Sequence, residues 1–565
     1  MNTSTTSLSV VETSSSDDGT APTHYDTVVI GAGFGGLRML HEARKLGLSV
    51  KVLEAGSDVG GTWYWNRYPG ARTDTEAWAY IMSFSEELKT DWVWSERYPA
   101  QAEVERYLKY VTERFDMRRD IQFHTRVTSA VYDEAANLWT IITEAGQSFT
   151  CTYFVSASGV LSAPLDPPFP GLDSFTGQWY QTSRWPKEPV DFTGKRVAVV
   201  GTGATAVQVI PEVASTAAQL TVFQRTPNYV IPGRNHAISE GQQAEAQRDH
   251  SEIGRKCREQ VFAFPMNAAG RTMDDVTPEQ AQKILEAGWE IGGFRFVFET
   301  FDDLFISEES NETAAEFIRN KIRTIVQDPE TAELLCPSYP LFSKRPPLGH
   351  FFYETMNREN VNLVDVSDNP IQEVTPHGMR TGTDEYEFDV IIFALGFDAG
   401  TGALASIDVR GTGGQTLTEK WADGPRTYLG IGVDGFPNMF MISGPQSPIA
   451  NIPVIVDNTV GWIGRLITHM RDNGYDRMES TAEACAQWQE MCNAVLDATV
   501  LANEDVGSYF FGANVPGKPR ASIFFFGGAP GYFQQCQEVA DNDFKGIDFS
   551  TTPSVGSANE QAQMA

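Results

Sequence analysis

Apolar residues in this chain fall into two kinds of run. The first kind is short, rich in β-branched residues and closed by glycine: YDTVVIGAGFGG (25–36), SVKVLEAG (49–56), KRVAVVGTGATAVQ (195–208), QLTVFQRTPN (219–228), YEFDVIIFALGFD (386–398) and GFPNMFMISGP (435–445). Such runs predict strands buried on both faces, as in parallel sheets. The second kind spaces apolar residues three and four apart and predicts helices, in RMLHEARKLGL (38–48), HAISEGQQAEAQRDHSEIGRKCREQVFAF (236–264) and TAAEFIRNKIRTIVQDPETAELL (313–335).

Strand, glycine turn, helix and strand follow one another twice. The expected fold class is therefore α/β, with two Rossmann-like dinucleotide-binding domains and a helical insertion at about 235–340. The strands in 386–398 and 435–445 are expected to complete the first sheet, which places the second domain inside the first. The expected boundaries are 24–160 with 386–548 for the first domain and 161–385 for the second. The Ser- and Thr-rich residues 1–23 predict a disordered tail, and 549–565 a flexible one.

The two turns carry different chemistry. Gly31, Gly33 and Gly36 form GxGxxG, whose glycines permit the tight turn, close approach to a pyrophosphate and helix–strand packing. Glu54 stands at the end of the next strand, 18 residues past Gly36, where a carboxylate accepts hydrogen bonds from a ribose. In the second copy Gly201, Gly203 and Ala206 repeat the spacing, with Ala204 and Thr205 at the helix start. Here the residue 18 past Ala206 is Gln224, followed by Arg225 and Thr226. A carboxylate repels a 2′-phosphate and a guanidinium grips one. The first site thus suits an adenosine ribose with free hydroxyls and the second suits NADPH, so a flavin and a nicotinamide are expected to meet.

Composition narrows the partners. The net charge of −31 argues against a nucleic-acid partner, which needs clustered Lys and Arg. The six cysteines form no CxxC pair and the eight histidines show no metal-ligand spacing, so neither dithiol chemistry nor a metal site is expected. No apolar run approaches the ~20 residues of a membrane span, and the N-terminus lacks the basic start and apolar core of a signal peptide. A cytoplasmic protein with no membrane, nucleic-acid or protein partner is the expectation.

Several further motifs appear in order: GGTWYWNRYPGARTD (60–74), FTGQWYQTSRWP (175–186), GTGATA (201–206), SKRPP (343–347), TYLGIGVDGFPNMFMISGP (427–445) and GANVPGKPR (512–520). Together with the first fingerprint, they resemble the type I Baeyer–Villiger monooxygenases from about residue 24 to 548. The resemblance implies tightly held FAD, NADPH as hydride donor, O2 as oxidant, and a ketone converted to an ester or lactone through an anionic flavin peroxide and a tetrahedral adduct. It places the charge that stabilises this peroxide on Arg345, with Asp74 orienting it, and gives Lys344 to the 2′-phosphate alongside Arg225 and Thr226. It gives Phe34, Gly61, Thr62, Trp63, Asp74, Tyr80 and Arg345 to the flavin side and Tyr509 to the nicotinamide side. The loop SGPQSPIANIP (443–453) is expected to border an apolar substrate pocket.

Three positions depart from the family pattern: Gln181 stands for a histidine, Tyr509 for a tryptophan and Leu395 for a threonine. Glutamine keeps the hydrogen bonds of neutral imidazole and cannot take its proton. Two alternatives follow. One is a monooxygenase acting on sulfur or nitrogen, whose members lack the Trp185-Pro186 ending. The other is an oxidase that spends NADPH on hydrogen peroxide. Asp74 also has a structural alternative, as the cap of a helix beginning at DTEAWAY.

Overall fold

The structure, a computed structural model, describes residues 22–502 and 506–552. Both glycine-closed patterns form parallel strands. The first sheet orders its strands as Asp408–Arg410, Val127–Asp133, Leu138–Thr143, Ser148–Ser156, Thr23–Ile30, Val50–Leu53 and Ile121–Gln122. Ser148–Ser156 is long enough to serve two neighbours, pairing antiparallel with Leu138–Thr143 through its first half and parallel with Met439–Met441 through its last residues. The second sheet is parallel throughout, in the order Val361–Asp365, Gln219–Gln224, Arg196–Val200, Val390–Phe393 and Gln178–Gln181.

One expectation is corrected here. The strand within 386–398 belongs to the second sheet, where Val390 pairs with Val197 and Phe393 with Val200. Val390–Phe393 is buried on both faces, so its apolar run fits any interior parallel position and carries no signal for which sheet takes it. The 435–445 strand does join the first sheet, through Met439–Met441.

The expected tails lie mostly outside the described residues. Thr23, taken as tail, already pairs with Phe149. At the other end Ile547–Ser550 is a strand antiparallel to Arg477–Ser480, so Phe549 and Ser550 are ordered structure. Their hydrogen-bonded partner strand, invisible to composition, is what holds them.

Each fingerprint lies where its first strand ends at the carboxyl edge of the sheet, the edge at which open α/β folds bind ligands. The close approach of strand and helix at the first turn leaves no room for a side chain at Gly36, where a Cβ would stand 1.8 Å from the Gly31 carbonyl oxygen. Helices between Glu240 and Leu334 pack around buried Phe264, Phe294, Phe298 and Phe342. Phe294 lies at 6.2 Å from Phe342, which carries this aromatic cluster up to the Lys344-Arg345 pair.

Candidate active site

The first site is built from backbone. Helix Phe34–Lys45 starts at Gly33 with no side-chain cap, which leaves its first N–H groups for a ligand. Buried Glu54 accepts the Ala32 N–H at 2.7 Å and the Gly56 N–H at 2.6 Å. Burial pushes its carboxyl above the usual value, with those two N–H groups opposing. Two N–H donors occupy only part of a carboxylate's acceptor capacity, so a ribose hydroxyl can still be received.

The segment 60–65 closes over this turn. A Cβ on Gly61 (φ +54°) would come within 2.9 Å of the Gly33 Cα, and the Gly60 N–H reaches the Ala32 carbonyl at 3.0 Å. Two glycine backbones thus face each other in a cradle that side chains would fill. Next to it Trp63 is buried and donates from Nε1 to the Tyr80 hydroxyl at 3.0 Å. Tyr80 in turn meets Phe34 edge to face at 5.1 Å. The structure therefore gathers Phe34, Gly33, Gly61, Trp63 and Tyr80 in one place, with Thr62 exposed beside them.

The second site inverts the charge. Helix Ala204–Ala214 also starts uncapped, at Gly203, where a Cβ would meet nothing within 4 Å. Ala206 is fully buried against the sheet. Thr205 hydrogen-bonds the Tyr68 hydroxyl, which also donates to Gln208 Oε1 at 2.8 Å. Where the first copy has an acid, Gln224 points inward and donates from Nε2 to the Leu334 carbonyl at 2.6 Å. Arg225 faces solvent, and Thr202 Oγ1 holds the Thr226 carbonyl at 3.0 Å.

Lys344 joins Arg225 from the far end of the helical insertion. Burial, then the Arg225 guanidinium, push its ammonium down to about 8. Neither cation has an ion-pair partner among the described residues. Two cations held together without a carboxylate make an anion site.

Between the two sites Arg345 forms an ion pair with Asp74 and lies 5.7 Å from the Phe294 ring centre. Burial lowers its pKa, opposed by nearby Tyr509 and Tyr68. A guanidinium keeps its charge in such surroundings. Tyr509 opens the turn Tyr509–Phe511, next to Phe510 at 4.7 Å. Asp74 caps nothing: the turn Ala77–Ala79 has Glu76 at its start and no side-chain cap.

Some of this site escapes a sequence reading. Glu76, two residues past Asp74 and 1% exposed at its side chain, pairs with Arg97 at 2.7 Å and Arg295 at 2.8 Å. Burial opposes its ionisation, but Arg295 and Arg97 outweigh burial and hold the carboxyl below its usual value. This clamp ties the Asp74 segment to the helix that follows Phe294. Its members are far apart in the chain, and no local motif announces them. The loop 443–453 approaches the flavin-side cluster, since Asn451 Nδ2 donates to the Ala79 carbonyl at 2.9 Å. Gln181 is buried, and its Nε2 donates to the Leu165 carbonyl at 2.8 Å while Oε1 has no protein partner.

The donor set fits the two cofactors. The glycine cradle and Glu54 suit a flavin dinucleotide, and the uncapped helix with Arg225 and Lys344 suits a 2′-phosphorylated nicotinamide dinucleotide. Among the described residues no helix is long and apolar enough to cross a membrane.

Comparison with known proteins agrees. The model of the flavin-binding monooxygenase-like family matches residues 25–240. The chain is 42% identical to the phenazine N-monooxygenase of Lysobacter antibioticus, over 94% of this chain and 98% of that protein. It is 41% identical to a Baeyer–Villiger monooxygenase of Pseudooceanicola batsensis, over 93% and 96%. The crystal structure of cyclohexanone monooxygenase from Rhodococcus sp. Phi1 bound to NADP+ superposes with a TM-score of 0.91, at 40% identity, over 94% of this chain and all of that one. At these identities over nearly the whole chain, the chain belongs to the Baeyer–Villiger monooxygenases.

Proposed function

We infer that this chain converts ketones to esters or lactones, with FAD in the first site, NADPH in the second and O2 as oxidant. The observation that supports the reading is the Arg345–Asp74 ion pair, next in the chain to the Lys344–Arg225 cation pair. The flavin, when bound, accepts hydride from NADPH and activates oxygen. The protein's part is binding, orientation and charge.

Glu54 receives ribose hydroxyls, and the N–H groups after Gly33 and Gly203 face pyrophosphates. Arg225, Lys344 and Thr226 hold the 2′-phosphate. Arg345 supplies a fixed positive charge where negative charge develops on oxygen, an arrangement most effective where water is excluded. Asp74, its ion-pair partner, orients the Arg345 guanidinium. Tyr509 walls the nicotinamide side, and the 443–453 loop gives the ketone apolar contact. The six thiols are free and five are buried, which supports action in the reducing cytoplasm.

The likeness to a phenazine N-monooxygenase favours one second reading, oxygenation of an aromatic nitrogen. A single experiment separates the readings: NADPH consumption, hydrogen peroxide release and organic product are measured with cyclic, linear and aryl ketones, an aryl sulfide and phenazine. Ketone-dependent ester with little peroxide is expected. N-oxide or sulfoxide without ester contradicts the ketone reading, and peroxide that no substrate suppresses identifies an oxidase.

A further inference from the structure

A cavity of about 360 Å³ lies between helices Glu240–Arg248 and His250–Glu259 on one side and residues 78–94 with the start of helix Ile452–Asp472 on the other. That volume accommodates a small organic molecule. Trp78, Trp92, Trp94, Ile238, Ile253 and Phe533 give it apolar walls. Its lining meets the sites described above only at Pro453, at the end of the 443–453 loop, and at Ala79, next to Tyr80.

Two features of the wall are unexplained by folding alone. Gly254 sits inside helix His250–Glu259, where glycine is a poor choice, and a Cβ there would meet only Arg258 Nη1, at 3.6 Å. Trp92 and Trp94 each bury an indole N–H that has no partner, and a buried donor without an acceptor is costly. Arg258, also in the lining, is solvent-exposed and has no ion-pair partner among the described residues, so it is free to meet a ligand's charge. The other charges are satisfied: Asp457 is held by Arg38 at 2.8 Å and Ser83 at 2.7 Å, while Lys89 and His250 share Glu86 at 2.6 and 2.7 Å. What remains unmet in this wall is buried N–H donors, of Trp92, Trp94 and Asn458, and the one cation without an ion pair in the lining is the exposed Arg258.

We propose that this cavity binds an apolar, ring-containing molecule bearing one carboxylate or sulfonate, its rings against the tryptophans and its anion toward Arg258. The binding is separate from the oxygenation chemistry and stands or falls independently of it. With a net charge of −31 the chain repels anions in general, so saturable uptake of an organic anion identifies a built site.

The test titrates the FAD-loaded, NADP+-saturated protein with anilinonaphthalene sulfonate in the presence of saturating ketone, following the fluorescence gain of the probe. One saturable site per chain is expected. Gly254→Leu, which fills the cavity, weakens binding about tenfold or more, and Arg258→Gln about fivefold, on the scale of a charge-assisted hydrogen bond. Arg258→Gln leaves binding of the uncharged anilinonaphthalene unaltered, and ketone turnover is unaltered in both variants. Absence of saturable binding overturns the proposal. So does binding that either variant leaves intact, because the cavity and its cation are both required.

Discussion

The two dinucleotide sites share a topology and differ in one charge. Each has a parallel strand, an uncapped helix starting at a glycine, and a second strand paired parallel to the first. At the end of that second strand the first site presents buried Glu54, while the second turns Gln224 inward and offers Arg225, reinforced by Lys344 from more than a hundred residues away. The fold supplies a place for a dinucleotide, and the side chain at the strand end selects which one. The comparison also explains the arginine between them. Arg345 follows Lys344 directly, so on the proposed roles one segment both reads the 2′-phosphate and carries the charge for the chemistry.

The largest effect is expected where the two sites meet. Arg345→Ala lowers ester formation ~10²–10³-fold, the usual loss when a preorganised charge is removed, while reduction of the flavin by NADPH proceeds. Rapid-mixing absorbance for the first and product analysis for the second separate these steps. Undiminished ester would remove Arg345 from the account.

Next comes the cation pair. Arg225→Ala raises the KM for NADPH ~10–100-fold, since a charge-assisted hydrogen bond is worth ~1.5–3 kcal/mol, and leaves that for NADH nearly unchanged. A parallel change with both coenzymes would mean that the 2′-phosphate is read elsewhere. At the first site Glu54→Gln keeps the shape and loses the charge. It weakens retention of FAD by roughly tenfold, within the same range, measured as flavin released on dilution, with no change in coenzyme preference.

A smaller effect is the pH response of the second site. Lys344 is pushed down to about 8 by burial and Arg225, so its ammonium is charged below that pH and neutral above it. The KM for NADPH is therefore expected to rise as pH climbs through about 8, while that for NADH stays flat. Lys344→Arg abolishes the rise, because guanidinium keeps its proton. An equal rise with NADH would assign the titration to another group.

Much of this was legible because the signals are local. Glycine spacing, the identity of the residue at 54 and at 225, and the periodicity of 236–335 are all fixed within a few residues of each other. Long-range partners were not legible. Val390–Phe393 is apolar on both faces and fits either sheet, so only its pairing with Arg196–Val200 settles its place. The Glu76–Arg97–Arg295 clamp joins three distant segments, and a lone acid two residues past Asp74 gives no hint of two arginine partners. Gln181 is a middle case. Its departure from the family histidine is plain in sequence, yet only the structure shows it tethering the Leu165 carbonyl, a contact that a neutral amide makes at any pH.

The most direct test of the charge inversion needs no variant. Adenosine 2′,5′-bisphosphate and ADP are each measured as competitors of NADPH in the FAD-loaded protein. The 2′-phosphorylated nucleotide is expected to compete at least about tenfold more tightly, as one charge-assisted contact requires. Equal inhibition by the two would contradict it.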